Sequence, residues 1–178
     1  MNGRHIESQG AVCSAGDLDL PAQAEATVRR RLLLVSSSGG HLAQLLQLRP
    51  WWTGHDRQWV TFDLLDARSR LEGETLIPAY HPTTRSIRNL CRNTSLAFRV
   101  LRRFRPDLVL STGAGVALPF FVIARLMGIP TVYLEVYDRV DSRTLTGILV
   151  QPFTTRFCVQ WPEQQSLYPG SVLTGPLY

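Results

Sequence analysis

Leu32-Leu33-Leu34-Val35 is an apolar run of strand length that breaks into Ser36-Ser37-Ser38-Gly39-Gly40-His41. Leu42-Ala43-Gln44-Leu45-Leu46-Gln47-Leu48 follows, with leucine at helical spacing. Buried strand, turn of small residues and helix in that order make the first βα unit of an open α/β sheet. Two adjacent glycines let the backbone approach a ligand, and free N–H groups at the helix start favour an anionic oxygen there. His41 stands at that mouth. A small-residue turn with a capping serine and a surface histidine fits the same residues, so the rest of the chain has to decide between the two.

The design recurs downstream. Arg57–Asp63 and Thr75–Tyr80 alternate as strands, joined by a short polar helix or loop from Leu64 to Gly73, and Trp51 and Trp52 close the apolar face of the first helix. Leu108–Leu110 begins a fourth strand and runs into Ser111-Thr112-Gly113-Ala114-Gly115, a second glycine turn, before an apolar helix that ends at Met127. Thr131–Glu135, a helix over Asp141–Gln151, Arg156–Gln160 and Ser171–Leu177 complete the pattern. Repeated βα units predict a Rossmann-like, doubly wound, mostly parallel α/β sheet covered on both faces. Ligands of such sheets bind in the crevice beyond the strands' carboxyl ends, where both glycine turns, Glu135 and Arg139 would meet. Residues 1–28, polar and without a sustained period, read as an arm, and 29–178 as a single domain.

Ser86 to Arg105 is the clearest helix. At 100° per residue Ile87, Leu90, Cys91, Thr94, Phe98 and Leu101 share one side, predicted to face the core, and Arg85, Arg88, Arg92, Arg99 and Arg103 line the other. No acid interrupts this segment. Its basic side suits an anionic membrane surface, an acidic partner or plain solvation.

Composition narrows the chemistry. All 19 basic residues are Arg, which rules out a P-loop lysine and a lysine Schiff base. A formal charge of +5 suits an acidic partner, whether phosphate-bearing substrate, anionic lipid or nucleic acid. Cys13, Cys91 and Cys158 are odd in number and far apart, so they offer neither a disulfide framework nor a zinc pair, and a reducing, cytoplasmic compartment is expected. No metal cluster is apparent, and no uninterrupted apolar segment is long enough to span a bilayer. Asp63 stands where a dinucleotide fold places its ribose-binding acid, but Ser38-Gly39-Gly40-His41-Leu42-Ala43 lacks the G-x-G-x-x-G fingerprint.

The stretches SSSGGHLAQLLQL, PDLVLSTGAGVALPF, IPTVYLEVYDRVDSRTLTG and FCVQWPEQQSLYPGSVLTGP stand in that order from about Arg31 to the C-terminus. They resemble the bacterial PssD/CpsF-type polysaccharide subunits and their eukaryotic relative, asparagine-linked glycosylation protein fourteen. They are also similar to the N-terminal, acceptor half of MurG, the peptidoglycan N-acetylglucosaminyltransferase of the GT-B fold. The resemblance implies a UDP-sugar donor and a lipid-diphosphate-linked sugar acceptor in exopolysaccharide or capsule synthesis, with no resident cofactor and no nucleic acid. It matches Gly39-Gly40-His41 and Gly113-Ala114-Gly115 to the family's glycine loops and Glu135 to the carboxylate near the acceptor. With the rim argument above, the expected catalytic residues are His41 and Glu135, and the expected acceptor and diphosphate ligands Ser38, Gly39, Gly40, Gly113, Ala114, Gly115 and Arg139. Val136 departs from the family's usual serine after the glutamate.

A GT-B enzyme binds its nucleotide sugar mainly in a C-terminal domain, and this sequence stops where that domain would begin. The expectation is a two-component transferase whose donor site lies on a small PssE/CpsG-like partner. Attachment would be peripheral, on the inner face of the cell membrane, through Arg88, Arg92, Arg99 and Arg103 or through the partner. Two rivals are a non-catalytic membrane scaffold for a self-sufficient transferase and a stand-alone nucleotide-binding Rossmann enzyme.

Overall fold

A computed structural model describes residues 28–177; the predicted N-terminal arm lies outside the described residues except for Val28. Seven parallel strands form one sheet in the order β3-β2-β1-β4-β5-β6-β7. The strands are β1 (Arg31–Val35), β2 (Asp56–Phe62), β3 (Leu76–Ala79), β4 (Leu108–Ser111), β5 (Thr131–Leu134), β6 (Arg156–Val159) and β7 (Val172–Leu173). The helices are α1 (Gly40–Gln47), α2 (Arg49–Trp52), α3 (Leu65–Arg70), α4 (Ile87–Phe104), α5 (Ala117–Leu126), α6 (Leu145–Val150) and α7 (Pro162–Leu167).

β1 shows why the sheet needs cover on both sides. Leu33 and Val35 enter the larger core with residues of α4 and α5, while Leu32 and Leu34 enter a second core with α1, Trp52 and Trp59. All four are fully buried, as expected for a central parallel strand. β1 pairs with β2 on one side and β4 on the other, so the chain reverses its winding direction there. The glycine turns that follow β1 and β4 therefore sit at the topological switch point, the place where such folds open a binding crevice.

Several boundaries differ from expectation for local reasons. The helix expected from Asp141 starts only at Leu145, because the Thr144 side chain accepts from Gly147 N–H and caps it there. The last strand is two residues long: Gly175 takes φ +78° and Pro176 cannot donate to a ladder. Trp52 is buried, donating its indole N–H to Leu45 O, but Trp51 is 43% exposed and does not close the first helix's face.

The main correction concerns α4. Its buried residues are Asn89, Asn93, Ala97 and Leu101, whereas Ile87 is 80% exposed and Phe98 48%. Leu90 and Cys91 are exposed as well. Side-chain amides set this rotation. Asn93 accepts from Tyr80 N–H and donates to Tyr80 O, both at 2.9 Å, and Asn89 donates to Pro82 O at 2.9 Å. These bonds satisfy the backbone of the β3–α4 connection, and hydrophobic periodicity yields to them.

Candidate functional site

At the switch point the two glycine turns are clasped together. His41 Nδ1 lies 2.9 Å from Thr112 O, and Thr112 Oγ1 donates back to His41 O at 2.7 Å. A carbonyl only accepts, so Nδ1 carries the proton, and in the neutral ring Nε2 holds the free lone pair. Gly113 makes the close approach possible. It adopts φ +125°, and a Cβ there would lie 2.8 Å from His41 Cε1 and 3.0 Å from the Tyr133 hydroxyl.

Beside this clasp a cleft of about 420 Å³ is lined by Gly40, His41, Ala114 and Arg139 among the residues expected from the sequence, and by Gln44, Tyr133 and Thr144 among those that were not. The amides of Gly40 and His41 open α1, where no intrahelical acceptor is in reach, so they present a partial positive charge. Across the cleft, the exposed Arg139 makes no ion pair among the described residues. An imidazole Nε2, helix-start amides and a free guanidinium around one cleft can accept a proton from a hydroxyl while holding a phosphate nearby.

Other expected members are placed differently. Gly39 N–H already donates to Asp66 Oδ2 at 2.9 Å, and Gly113 N–H to Ser111 Oγ at 3.0 Å, so neither amide is free for a ligand. Gly115 packs against Thr83, and Ser38 is half-buried outside the cleft lining. Glu135 is fully buried and does not line the cleft. Its Oε2 accepts from the Tyr168 hydroxyl at 2.5 Å and from Thr144 Oγ1 at 2.9 Å, and its Oε1 accepts from Val136 N–H at 3.0 Å. Tyr168 also accepts from the Thr144 backbone N–H at 2.9 Å, which closes a ring of three residues. Glu135 thus fastens the base of the loop 136–143, which carries Arg139. Asp63, the ribose-acid position of a dinucleotide fold, is taken by Arg68 at 2.5 and 2.7 Å, and that ion pair lowers its carboxyl below the usual range.

Two tyrosines stay protonated around the buried carboxylate. Burial holds the Tyr133 hydroxyl well above its ordinary value, and the Glu135 charge adds to this. Burial and the hydrogen bond to Glu135 push Tyr168 up to about 12. Tyr133 had a signal in the sequence: in TVYLE it shares the two-residue period of Glu135. Gln44 and Thr144 had none.

Arg88, Arg92, Arg99 and Arg103 are exposed along α4 and make no ion pair among the described residues. They flank the exposed Ile87, Leu90 and Phe98. Among the described residues no helix is long and apolar enough to cross a membrane, and no cluster of metal-binding side chains occurs.

Solved structures with this architecture include Acinetobacter baumannii MurG, at a TM-score of 0.62 and 18% identity over 75% of this chain and 42% of that one. The Staphylococcus aureus MnaA–UDP co-structure matches at a TM-score of 0.63 and 16% identity, over 83% and 44%. This chain therefore spans less than half of each, and at such identities the likeness is one of fold. Among curated proteins, the mouse UDP-N-acetylglucosamine transferase subunit ALG14 is 30% identical over 82% of both chains, and the rat protein 31% over 81% of both. A UDP-N-acetylglucosamine–N-acetylmuramyl-(pentapeptide) pyrophosphoryl-undecaprenol N-acetylglucosamine transferase of Geobacillus thermodenitrificans is 27% identical over 48% of this chain and 25% of its own. The family model described as oligosaccharide biosynthesis protein Alg14 like matches residues 67–177, and on that match and the mammalian identities the chain belongs to the Alg14-like family.

Proposed function

We propose that this chain is the acceptor-binding, membrane-recruiting subunit of a two-component glycosyltransferase that uses UDP-N-acetylglucosamine and elongates a sugar carried on a lipid diphosphate. The observation that carries the proposal is the His41–Thr112 clasp at the cleft mouth, facing an unpaired Arg139. In this reading the acceptor hydroxyl attacks the anomeric carbon of the donor sugar, its proton passes to His41 Nε2, and the bond to UDP breaks with the electron pair leaving on UDP. The amides of Gly40 and His41, with Arg139, hold the acceptor diphosphate. Glu135, with both oxygens engaged beneath the cleft, keeps the 136–143 loop in place and does not serve as the base.

The donor site belongs to a small partner subunit of the PssE/CpsG type, and the polymer built is an exopolysaccharide or capsule. Two features support peripheral attachment to the inner face of the cell membrane: unpaired arginines on α4 attract anionic headgroups, and Ile87, Leu90 and Phe98 can enter the acyl boundary.

The test is transfer of labelled N-acetylglucosamine from the UDP-sugar to a membrane lipid extract, with this chain alone, with its partner, and with His41→Ala in the complex. Activity should require both chains, and His41→Ala should lower turnover at least about 100-fold with the complex intact. Unchanged turnover in His41→Ala would make the chain a scaffold, and full activity of the chain alone would refute the split site.

A further inference from the structure

Beneath the cleft three glutamines are linked through the side chain and backbone N–H of Gln160, and none carries a role in the chemistry above. Gln160 is 1% exposed, Gln164 0% and Gln44 2%. The Gln160 side-chain amide donates to Gln44 Oε1 on α1 at 3.2 Å and to Glu135 O at the end of β5 at 2.9 Å. Its backbone N–H donates to Gln164 Oε1 at 2.9 Å, and its Oε1 accepts from Leu177 N–H at 3.3 Å. Gln164 in turn donates through Nε2 to Val136 O at 2.6 Å and to Arg139 O at 3.2 Å.

The consequence is geometric. Gln44 belongs to the α1 wall of the cleft, with Gly40 and His41, and Val136 and Arg139 belong to the opposite wall. An apolar contact between the walls could slide. Amide hydrogen bonds fix both distance and direction, and buried ones are costly to leave unmade. We propose that Gln160 and Gln164 are positioning residues that set the spacing between His41 and Arg139 across the cleft, and hence the fit of the acceptor diphosphate. The proposal rests on the acceptor-side reading of the cleft. The tie also reaches Leu177, so the spacing is referenced to the C-terminal segment as well as to the sheet.

Trp161 supplies a reporter that does not depend on activity. Its indole N–H donates to Tyr137 O, on the loop wall, at 2.8 Å. Gln44 is connected to Trp161 through Gln160 and Gln164. The experiment takes the full chain, records the four tryptophan indole N–H signals by NMR, and titrates inorganic pyrophosphate into wild type, Gln44→Met and Gln164→Met. Both variants should shift the Trp161 indole signal and speed its solvent exchange at least about fivefold, with the Trp59 indole, held by Glu74, unchanged as the control for folding. Pyrophosphate affinity should fall at least about threefold in Gln44→Met and tenfold in Gln164→Met.

A Trp161 signal that ignores Gln44→Met, or pyrophosphate binding equal to wild type in Gln164→Met, overturns the tie. If wild type itself binds no pyrophosphate, the acceptor-side reading fails and takes this proposal with it. Should Gln164→Met not fold, the Gln44→Met signals alone decide.

Discussion

Replacing Tyr168 with phenylalanine removes one oxygen from the ring that holds the cleft loop and leaves the tyrosine's stacking on Phe157, at 4.4 Å between centroids, in place. The lost hydroxyl donates to the Glu135 carboxylate at 2.5 Å and accepts from Thr144 N–H at 2.9 Å. A hydrogen bond to a charged group contributes about 1.5–3 kcal/mol, and Thr144 N–H is left without its partner, so the variant should lose about 3 kcal/mol. At about 2–4 °C per kcal/mol for a chain of this size, the melting temperature should drop by about 6–12 °C.

The pH dependence reports the burial of this hydroxyl together with its hydrogen bond to Glu135. Tyr168 in the fold is raised from 10.0 to about 12, so the folded state holds the phenolic proton more tightly than the unfolded chain. The associated stability is fully present below pH 10 and is lost as pH rises through 12. Two units at 1.36 kcal/mol each make the loss about 3 kcal/mol. Phenylalanine does not titrate, so the difference between wild type and Tyr168→Phe should be flat below pH 10 and shrink by that amount between pH 10 and 12. Urea denaturation across this range measures it. A difference under about 0.5 kcal/mol at neutral pH, or one that does not narrow in alkali, would refute the assignment of Glu135 to a structural ring.

Gly113→Ala should cost about 2 kcal/mol from its φ of +125° and displace the His41 ring that a Cβ would meet at 2.8 Å, seen as a lower melting temperature and a shifted imidazole signal. Burial alone would raise Glu74, but hydrogen bonds from Arg57 and Trp59 outweigh it and hold the carboxyl below its ordinary 4.5. Stability from this group is therefore present above pH 4.5 and lost as pH falls through the lower folded value, and Glu74→Gln should flatten the acid limb of the stability curve. Burial also raises the Cys158 thiol, with Arg156 offsetting part of the effect, so Cys91, which is exposed, should alkylate at least about tenfold faster at pH 8. Changing Arg88, Arg92, Arg99 and Arg103 to alanine together should weaken sedimentation with phosphatidylglycerol vesicles at low salt by about 4 kcal/mol, at roughly 1 kcal/mol per charge, and leave neutral vesicles unaffected.

The sheet was legible because Leu32 to Val35 is apolar without interruption and the motif of strand, hydroxyls and glycines occurs twice. The cleft was legible in part: Gly40, His41, Ala114 and Arg139 meet there because the residues after β1, β4 and β5 share one rim. Glu135 shares the rim in sequence but not the cleft. Its partners Tyr168 and Thr144 lie 33 and 9 residues away, and no local pattern announces a buried hydrogen-bonded ring. The glutamine tie was hidden for a related reason: a glutamine in a polar stretch such as Pro162–Leu167 reads as surface until its partners are known. The rotation of α4 is not legible in the sequence because periodicity counts apolar residues and gives no weight to an asparagine that docks on backbone.

That docking has a further result. Turning α4 so that Ile87, Leu90 and Phe98 faced the sheet would strand Asn89, Asn93 and the Tyr80 and Pro82 backbone groups they satisfy, at about 1–3 kcal/mol for each buried group left unpaired. The helix therefore cannot relieve its own conflict. Local pattern and tertiary position disagree at Ile87, Leu90 and Phe98, while Leu101 is buried as the pattern predicts, and such frustration is retained where folding alone is not the only demand on a sequence. Purified by itself, the chain should self-associate or adsorb to surfaces through these three side chains, and added detergent should disperse it without altering its fold.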